Sequence, residues 1–235
     1  MRIILMGPPG VGKGTEAVLL AEHYHIPHIS TGNIFRELYK DNTDVGKIAM
    51  GYIDRGELVP NHITNEIVRH RLMEDDAKDG FLFDGYPRNI EQAKAFDHLL
   101  KEMGWKLNAV INIAAPDEVI IERIAGRRVC ETCGAVYHIH NKKPKREGIC
   151  DLDGGKLVQR ADDMEETVQR RLRIYCDQTA PVIGYYKSKG SIVEIDGTKS
   201  IQYTDSTIKK VLGEMNWFKS NHNAKLSWCV KQGAS

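Results

Sequence analysis

The stretch 4–24, "ILMGPPGVGKGTEAVLLAEHY", constrains the fold of this chain more than any other. An apolar, strand-like run ends at Met6. Gly7, Gly12 and Lys13 then match the spacing G-x-x-x-x-G-K, directly before a segment of helical periodicity. Small residues let backbone N–H groups curl around phosphate oxygens, and the amino end of the following helix adds a favourable dipole. Lys13 puts a positive charge where the β- and γ-phosphates of a nucleotide would lie. The hydroxyl comes one place later than the general pattern, at Thr15 after Gly14. Strand, phosphate loop and helix in register call for a sheet whose strand ends form the binding edge, so the loop predicts an α/β fold.

The chain repeats that rhythm. Apolar runs at 26–29, 80–83, 109–113 and 191–195 join Arg2–Met6 as strand candidates, with helix-length amphipathic segments at 14–25, 61–78, 90–104 and 117–126. The alternation predicts a largely parallel sheet flanked by helices. Two stretches interrupt it and read as small insertions into one core: 30–59, punctuated by Gly46, Gly51 and Gly56, and 127–159, rich in cysteine, lysine, proline and glycine. The final stretch, "NWFKSNHNAKLSWCVKQGAS", loses the pattern and reads as a tail, with Trp217, Phe218 and Trp228 as its apolar residues and Cys229 as a free thiol.

With 33 basic against 32 acidic residues, the charges give no footprint for nucleic acid or a membrane surface. The basic run "NKKPKRE" at 141–147 is expected to be a solvated face. Apolar runs such as 3–6 and 119–121 are far too short to span a bilayer. Residues 1–2 lead straight into a strand-like run, without the apolar core of a signal peptide. Five cysteines, three of them clustered, suit a reducing compartment better than a disulfide framework, so a cytoplasmic protein is expected, and a monomer.

A phosphoryl acceptor needs its own site. In "FLFDGYPRN", residues 81–89, Asp84 is the first polar residue after an apolar strand and should sit at the carboxyl edge of the sheet. A carboxylate there can hold water on Mg²⁺ bridging phosphates. Gly85 permits close backbone approach, and Arg88 offers a fork for a phosphate. Arg123 and Arg127 fall four apart, on one helix face or its end. Arg160 and Arg171 lie eleven apart, three helical turns, and so on a similar face. Asp162 and Asp163 stand between them as helix caps or as partners of the arginines. Converging guanidinium groups are what phosphoryl transfer requires, since its catalysis is positioning and charge stabilisation.

Cys130 and Cys133 are two residues apart, and Cys150 follows after sixteen intervening residues, with Asp153 where a fourth cysteine would complete the pattern. The spacing suits tetrahedral Zn²⁺, and Asp151 and His138 are rivals for the fourth place. Four protein ligands leave no open position, which makes the metal structural. His23, His25 and His28 surround Pro27 and read as a helix end and a strand; Cys176 reads as a packed or half-packed thiol.

The motifs "GPPGVGKGT", "STGNIFR", "RGELVP", "FDGYPRN", "ERIAGRR", "RADDMEETVQRRL" and "TAPVIGYY" together resemble adenylate kinase, in the long form with a full lid, from residue 1 to about 212. The resemblance implies a P-loop nucleoside-monophosphate-kinase-like core at 1–29, 60–126 and 165–212, an insertion for the monophosphate at 30–59, a zinc-containing lid at 127–164 and a tail at 213–235. It implies reversible transfer of the terminal phosphoryl of Mg-ATP to AMP, giving two ADP, under a lid that closes over the substrates. The ATP phosphates would lie on Gly10, Val11, Gly12, Lys13, Gly14 and Thr15, and the ATP base beside Tyr137 and the backbone of Lys199. AMP would meet Thr31, Arg36, Gly85, Arg88 and Gln92, with the backbone of Glu57, Leu58 and Val59 beside its adenine. Arg123, Arg127, Arg160 and Arg171 would clamp the phosphates. Two residues depart from the family pattern: Asn33, usually an aspartate, and Glu16, often a glutamine. Two competing readings are a kinase for another nucleoside monophosphate and a zinc-knuckle binding module joined to a nucleotide switch.

Overall fold

The structure, a computed structural model, describes residues 1–220, with side chains through residue 215. Strand β1 (Arg2–Met6) lies at the centre, pairing in parallel with β3 (Phe81–Asp84) and β4 (Ala109–Ala114), so that Ile4 faces Phe83 and Val110 in register. Strands β2 (His28–Ser30) and β8 (Ile192–Asp196) flank these, giving a parallel sheet in the order β2-β3-β1-β4-β8. Such strands are covered on both faces, which is why they read as continuous apolar runs. Ile4, Met6, Phe81 and Phe83 pack against Val68 of α4 (Asn61–Leu72), Phe96 of α5 (Ile90–Glu102) and Val182 of α8 (Ala180–Lys187). Ile3, Leu5 and Leu82 pack on the other face against Ala17 and Leu20 of α1 (Lys13–Tyr24) and Ile208 and Leu212 of α9 (Ile201–Ser220). Burying one such large side chain stabilises by about 1.5–3 kcal/mol, so two full layers hold the sheet's edge rigid.

The interruptions fold as separate small units. Within 30–59, α2 (Thr31–Lys40) packs on α3 (Asp44–Ile53). Gly46 and Gly51 lie inside α3 rather than marking turns. A Cβ on Gly46 would stand 2.3 Å from the Leu38 carbonyl carbon, so this glycine serves close helix packing, whereas Gly56, at φ +73°, does end the unit. Beyond α6 (Asp117–Ala125), strands β5 (Arg127–Cys130), β6 (Val136–His138) and β7 (Leu157–Val158) form an antiparallel sheet around Cys130, Tyr137, Cys150 and Leu157.

Several boundaries move. The second strand starts at His28, not residue 26, because α1 closes on a left-handed His25 and the Ile26 N–H returns to the Ala21 carbonyl at 3.1 Å. Helix α4 stops at Leu72, and a short 3₁₀ turn at Asp75–Ala77 fills the rest of the expected helix. Cys176 is exposed rather than packed; it sits in a π-helical stretch, Tyr175–Thr179, between α7 (Glu165–Ile174) and α8. Helix α9 crosses residue 213 without a break. Trp228 and Cys229, and the side chains of Trp217 and Phe218, lie outside the described residues.

Candidate active site

The loop between β1 and α1 turns at the carboxyl end of the central strand. Gly7 has φ +136°, and a Cβ there would stand 2.2 Å from the Ile113 carbonyl oxygen, so no other residue fits. Lys13 folds back over the loop, and its Nζ donates to the Gly7 and Pro8 carbonyls at 2.8 Å each. Burial pushes its pKa down to about 8, against the pull of Asp84. Asp84 ends β3 facing the loop: a Cβ on Gly14 would lie 3.5 Å from its Oδ2. Burial alone would raise the Asp84 pKa, but the His28 imidazole, 3.8 Å away, and the Lys13 charge outweigh it, and the carboxyl is held below its ordinary range. An ionised carboxylate facing Gly14 of the phosphate loop has the chemistry to hold water on Mg²⁺.

A second polar cluster is built around one backbone carbonyl. Gly85 O accepts from Thr31 Oγ1 at 3.0 Å and from Arg88 Nε at 2.7 Å. The Arg88 N–H donates to Gln92 Oε1 at 2.8 Å, Gln92 Nε2 donates to Asn61 Oδ1 at 2.9 Å, and Thr179 Oγ1 donates to the Arg88 carbonyl at 2.7 Å. Gln92 is buried and keeps one lone pair and one N–H for a ligand. Burial, then the nearby Arg171 charge, pushes the Arg88 pKa down to about 10. Asn61 and Thr179 orient this glutamine and arginine; Thr179 opens the motif "TAPVIGYY" but nothing in the sequence gives it that task, and Asn61 lies in no quoted motif.

The arginines converge by a different route from helical spacing. Helix α6 ends before Gly126, where a Cβ would strike the His138 ring at 2.3 Å, so Arg123 is helical while Arg127 opens β5. Arg160 precedes a 3₁₀ turn at Ala161–Asp163 and shares no helix with Arg171, which lies on α7. The two aspartates in that turn gather the cluster instead of capping α7. Arg127 forms a two-point ion pair with Asp163, through Nε at 2.8 Å and a short second contact. Arg171 reaches Asp162 at 2.9 Å and Asp163 at 3.2 Å, and Arg36 reaches Asp162 at 3.3 Å. Burial opposes the charge on Arg127, yet the Asp163 hydrogen bond leaves its pKa raised; on Arg160, burial and the Arg36 charge push it down to about 10. Arg123 bridges the Val11 carbonyl at 3.0 Å and the Gly197 carbonyl at 2.7 Å.

Cys130, Cys133, Cys150 and Asp153 meet with all ligand atoms within 4.8 Å of one another. The Cys133 and Cys150 sulfurs are 3.7 Å apart, and Cys130 Sγ lies 3.3 Å from Asp153 Oδ1. Tetrahedral bonds of about 2.3 Å to zinc place sulfurs about 3.8 Å apart, so the donor set fits. The rivals His138 and Asp151 stand outside this group. His138 Nδ1 accepts from the N–H groups of His140 and Asn141 at 3.1 Å, and Asp151 Oδ1 accepts from the Lys145 N–H at 2.9 Å.

One continuous cleft of about 1180 Å³ joins these parts. All of the residues expected to bind nucleotide line it, from Gly10–Thr15 through Thr31, Arg36, Glu57–Val59, Asp84, Gly85, Arg88 and Gln92 to Arg123, Arg127, Tyr137, Arg160, Arg171 and Lys199. The Tyr137 ring is buried, with its hydroxyl turned to the cysteine cluster, 3.5 Å from Cys150 Sγ. A family model described as adenylate kinase matches residues 5–191. The chain is 53% identical to the adenylate kinase of Clostridium tetani over 216 residues, covering 92% of this chain and all of that one. It is 52% identical to the adenylate kinase of a Thermoanaerobacter strain over 214 residues, covering 91% and 99%. A third, from Caldanaerobacter subterraneus, is 53% identical over 212 residues, covering 90% and 96%.

The chain belongs to the adenylate kinase family.

Its activity is accordingly that of a nucleoside monophosphate kinase: phosphoryl transfer from ATP to AMP giving two ADP, with Mg²⁺ accompanying ATP. The phosphate loop and the residues around the Gly85 carbonyl both line the one cleft. No described helix is long and apolar enough to cross a membrane.

Proposed function

We propose the following division of labour within adenylate kinase catalysis. Gly10–Thr15 wrap the ATP phosphates with backbone N–H groups, and Lys13 leaves its two loop carbonyls to meet the β- and γ-phosphates. Its depressed pKa of about 8 rises once phosphate charge arrives, so the ammonium is fully protonated in the complex. Arg88 holds the AMP phosphate, with Thr31 and Gly85 shaping its seat and Arg36 beside it; Gln92 and the backbone of Glu57–Val59 meet the adenine. Arg123, Arg127, Arg160 and Arg171 neutralise charge on the transferring group, held ready by Asp162 and Asp163, so little reorganisation remains when charge develops. Asp84 would hold Mg²⁺, which would screen the phosphate charge; Tyr137 and Lys199 border the ATP base.

The lid at 127–164 and the insertion at 30–59 move over a core formed by 1–29, 60–126 and 165–212, excluding water from the reaction. Zn²⁺ on Cys130, Cys133, Cys150 and Asp153 is structural: a unit of this size buries little apolar surface, and a metal clip supplies the missing stabilisation. The protein acts as a cytoplasmic monomer without nucleic-acid or membrane partners.

The observation that carries this reading is the single cleft in which Lys13, Arg88 and the Asp162–Asp163 arginine cluster share one wall-to-wall space. ADP formation from ATP with AMP, GMP, CMP or UMP as acceptor tests it. AMP should dominate, and Lys13→Met should retain the fold yet reduce turnover by about 10²–10³. Fast GMP or UMP turnover with negligible use of AMP would overturn the acceptor assignment, and near-normal turnover of the Lys13 variant would overturn the site.

A further inference from the structure

Lys40 ends α2, at the far tip of the 30–59 insertion, and its Nζ donates to the carbonyls of Glu131 at 2.7 Å and Thr132 at 3.4 Å. Those two residues are the interior of the Cys130–Cys133 turn. Three further backbone bonds hold that turn within the 127–158 segment: Gly134 N–H to the Cys130 carbonyl at 3.0 Å, Cys130 N–H to the Ala135 carbonyl at 2.9 Å, and Glu131 N–H to the Lys156 carbonyl at 3.0 Å. The turn is therefore held from within and presents the Glu131 and Thr132 carbonyls outward as a two-oxygen acceptor. A lysine in the last turn of a helix ordinarily satisfies its own helix's carbonyls or solvent. Lys40 instead crosses to a segment more than ninety positions away. Arg36, one turn back on α2, and Cys133 both line the cleft, so the contact lies on its rim.

The geometry points to Lys40 as a positioning residue that latches the acceptor-side insertion onto the metal-bound cysteine turn of the lid when the cleft is shut. Among the described residues, its two hydrogen bonds are those that join the insertion to 127–158. Beyond residue 158, the polar contacts of the insertion run from Arg36 to Asp162 and from Arg170 to Glu57 and the Arg55 carbonyl. Three thiolates and a carboxylate around a divalent ion keep a net negative charge, which favours an ammonium on the same turn. The metal fixes where Cys130 and Cys133 stand, and so fixes the two carbonyls between them. This second half rests on the proposed metal clip; the latch itself does not.

The test compares the full chain with Lys40→Met and Lys40→Arg. Dyes attached by non-cysteine chemistry at positions 48 and 145, both exposed, report closure by single-molecule energy transfer with a bisubstrate nucleotide analogue bound. Lys40→Met should lower the closed-to-open ratio about fivefold, the upper end for one surface charge contact. It should also raise KM for AMP without lowering kcat, and Lys40→Arg should recover most of the closed state. Unchanged closure in Lys40→Met would overturn the latch. In protein stripped of metal under reducing conditions, the difference between parent and Lys40→Met should vanish; if it persists in full, the metal coupling is overturned while the latch stands. Elemental analysis of the parent separates the cases, because absence of bound metal removes the clip and leaves the first comparison decisive for Lys40.

Discussion

Glu16 follows the phosphate loop directly and turns its carboxyl into the seam between α1 and α9, where the residue is only 3% exposed. Its Oε2 has no hydrogen-bond partner, nor does Oδ1 of Asp205 across the seam, while Lys209 pairs with the other Asp205 oxygen at 2.8 Å. Burial, and then the Asp205 charge, push the Glu16 pKa up from 4.5 to about 7, with Lys209 opposing. The folded protein thus holds this proton more tightly than the unfolded chain does. Stability falls as pH rises from about 4.5 to about 7, and the deficit is complete above that window. A shift of this size corresponds to at most about 3 kcal/mol. Glu16→Gln keeps the shape and removes the ionisation, so at pH 8 the variant should be more stable by up to about 3 kcal/mol, a rise in Tm of several degrees for a chain of this length. Near pH 5 the two proteins should converge. Thermal melts followed by circular dichroism at stepped pH values measure the gap directly. A variant no more stable than the parent at pH 8, or a gap that does not change with pH, would refute the reasoning.

Other consequences can be checked with standard assays. Arg88→Ala should lower phosphoryl transfer by about 10²–10³ with only a small change in Tm, since the side chain's one internal hydrogen bond is to the Gly85 carbonyl. Gly46→Ala drives a Cβ to within 2.3 Å of the α2 backbone, so α2 and α3 must part. A loss of about 1–3 kcal/mol in that unit and a raised KM for AMP should follow. A chelator under reducing conditions should expose the 141–147 segment to trypsin while the parallel sheet stays folded, and protein purified without chelator but lacking stoichiometric metal would contradict the clip.

The phosphate loop was legible because one strand, one glycine turn and one helix are contiguous, and local sterics at Gly7 demand what the motif states. The sheet was legible for a similar reason: strands buried on both faces must be largely apolar, and β1, β3 and β4 are, with Arg2 and Asp84 at strand ends and Asn112 the polar residue inside. The meeting of Cys130, Cys133, Cys150 and Asp153 was legible as spacing, since two cysteines two residues apart share one turn. Long-range convergence was not. Helical periodicity suggested that Arg160 and Arg171 share a face, yet a 3₁₀ turn separates them and buried Asp162 and Asp163 bring the guanidinium groups together. Gly46 looked like a turn and proved to be a packing contact, because only a neighbouring helix decides what a missing Cβ makes room for.

The sequence by itself determined that a glycine-rich loop of phosphate-binding pattern ends a central parallel strand and that the chain carries a cysteine-rich insertion, since both follow from contacts between near neighbours. The tertiary structure decided how Arg88 is oriented by Asn61, Gln92 and Thr179, which of the acidic residues serve the arginines, and where Lys40 reaches. Those are pairings between segments tens of residues apart, set by packing and charge in three dimensions, and no local spacing encodes them.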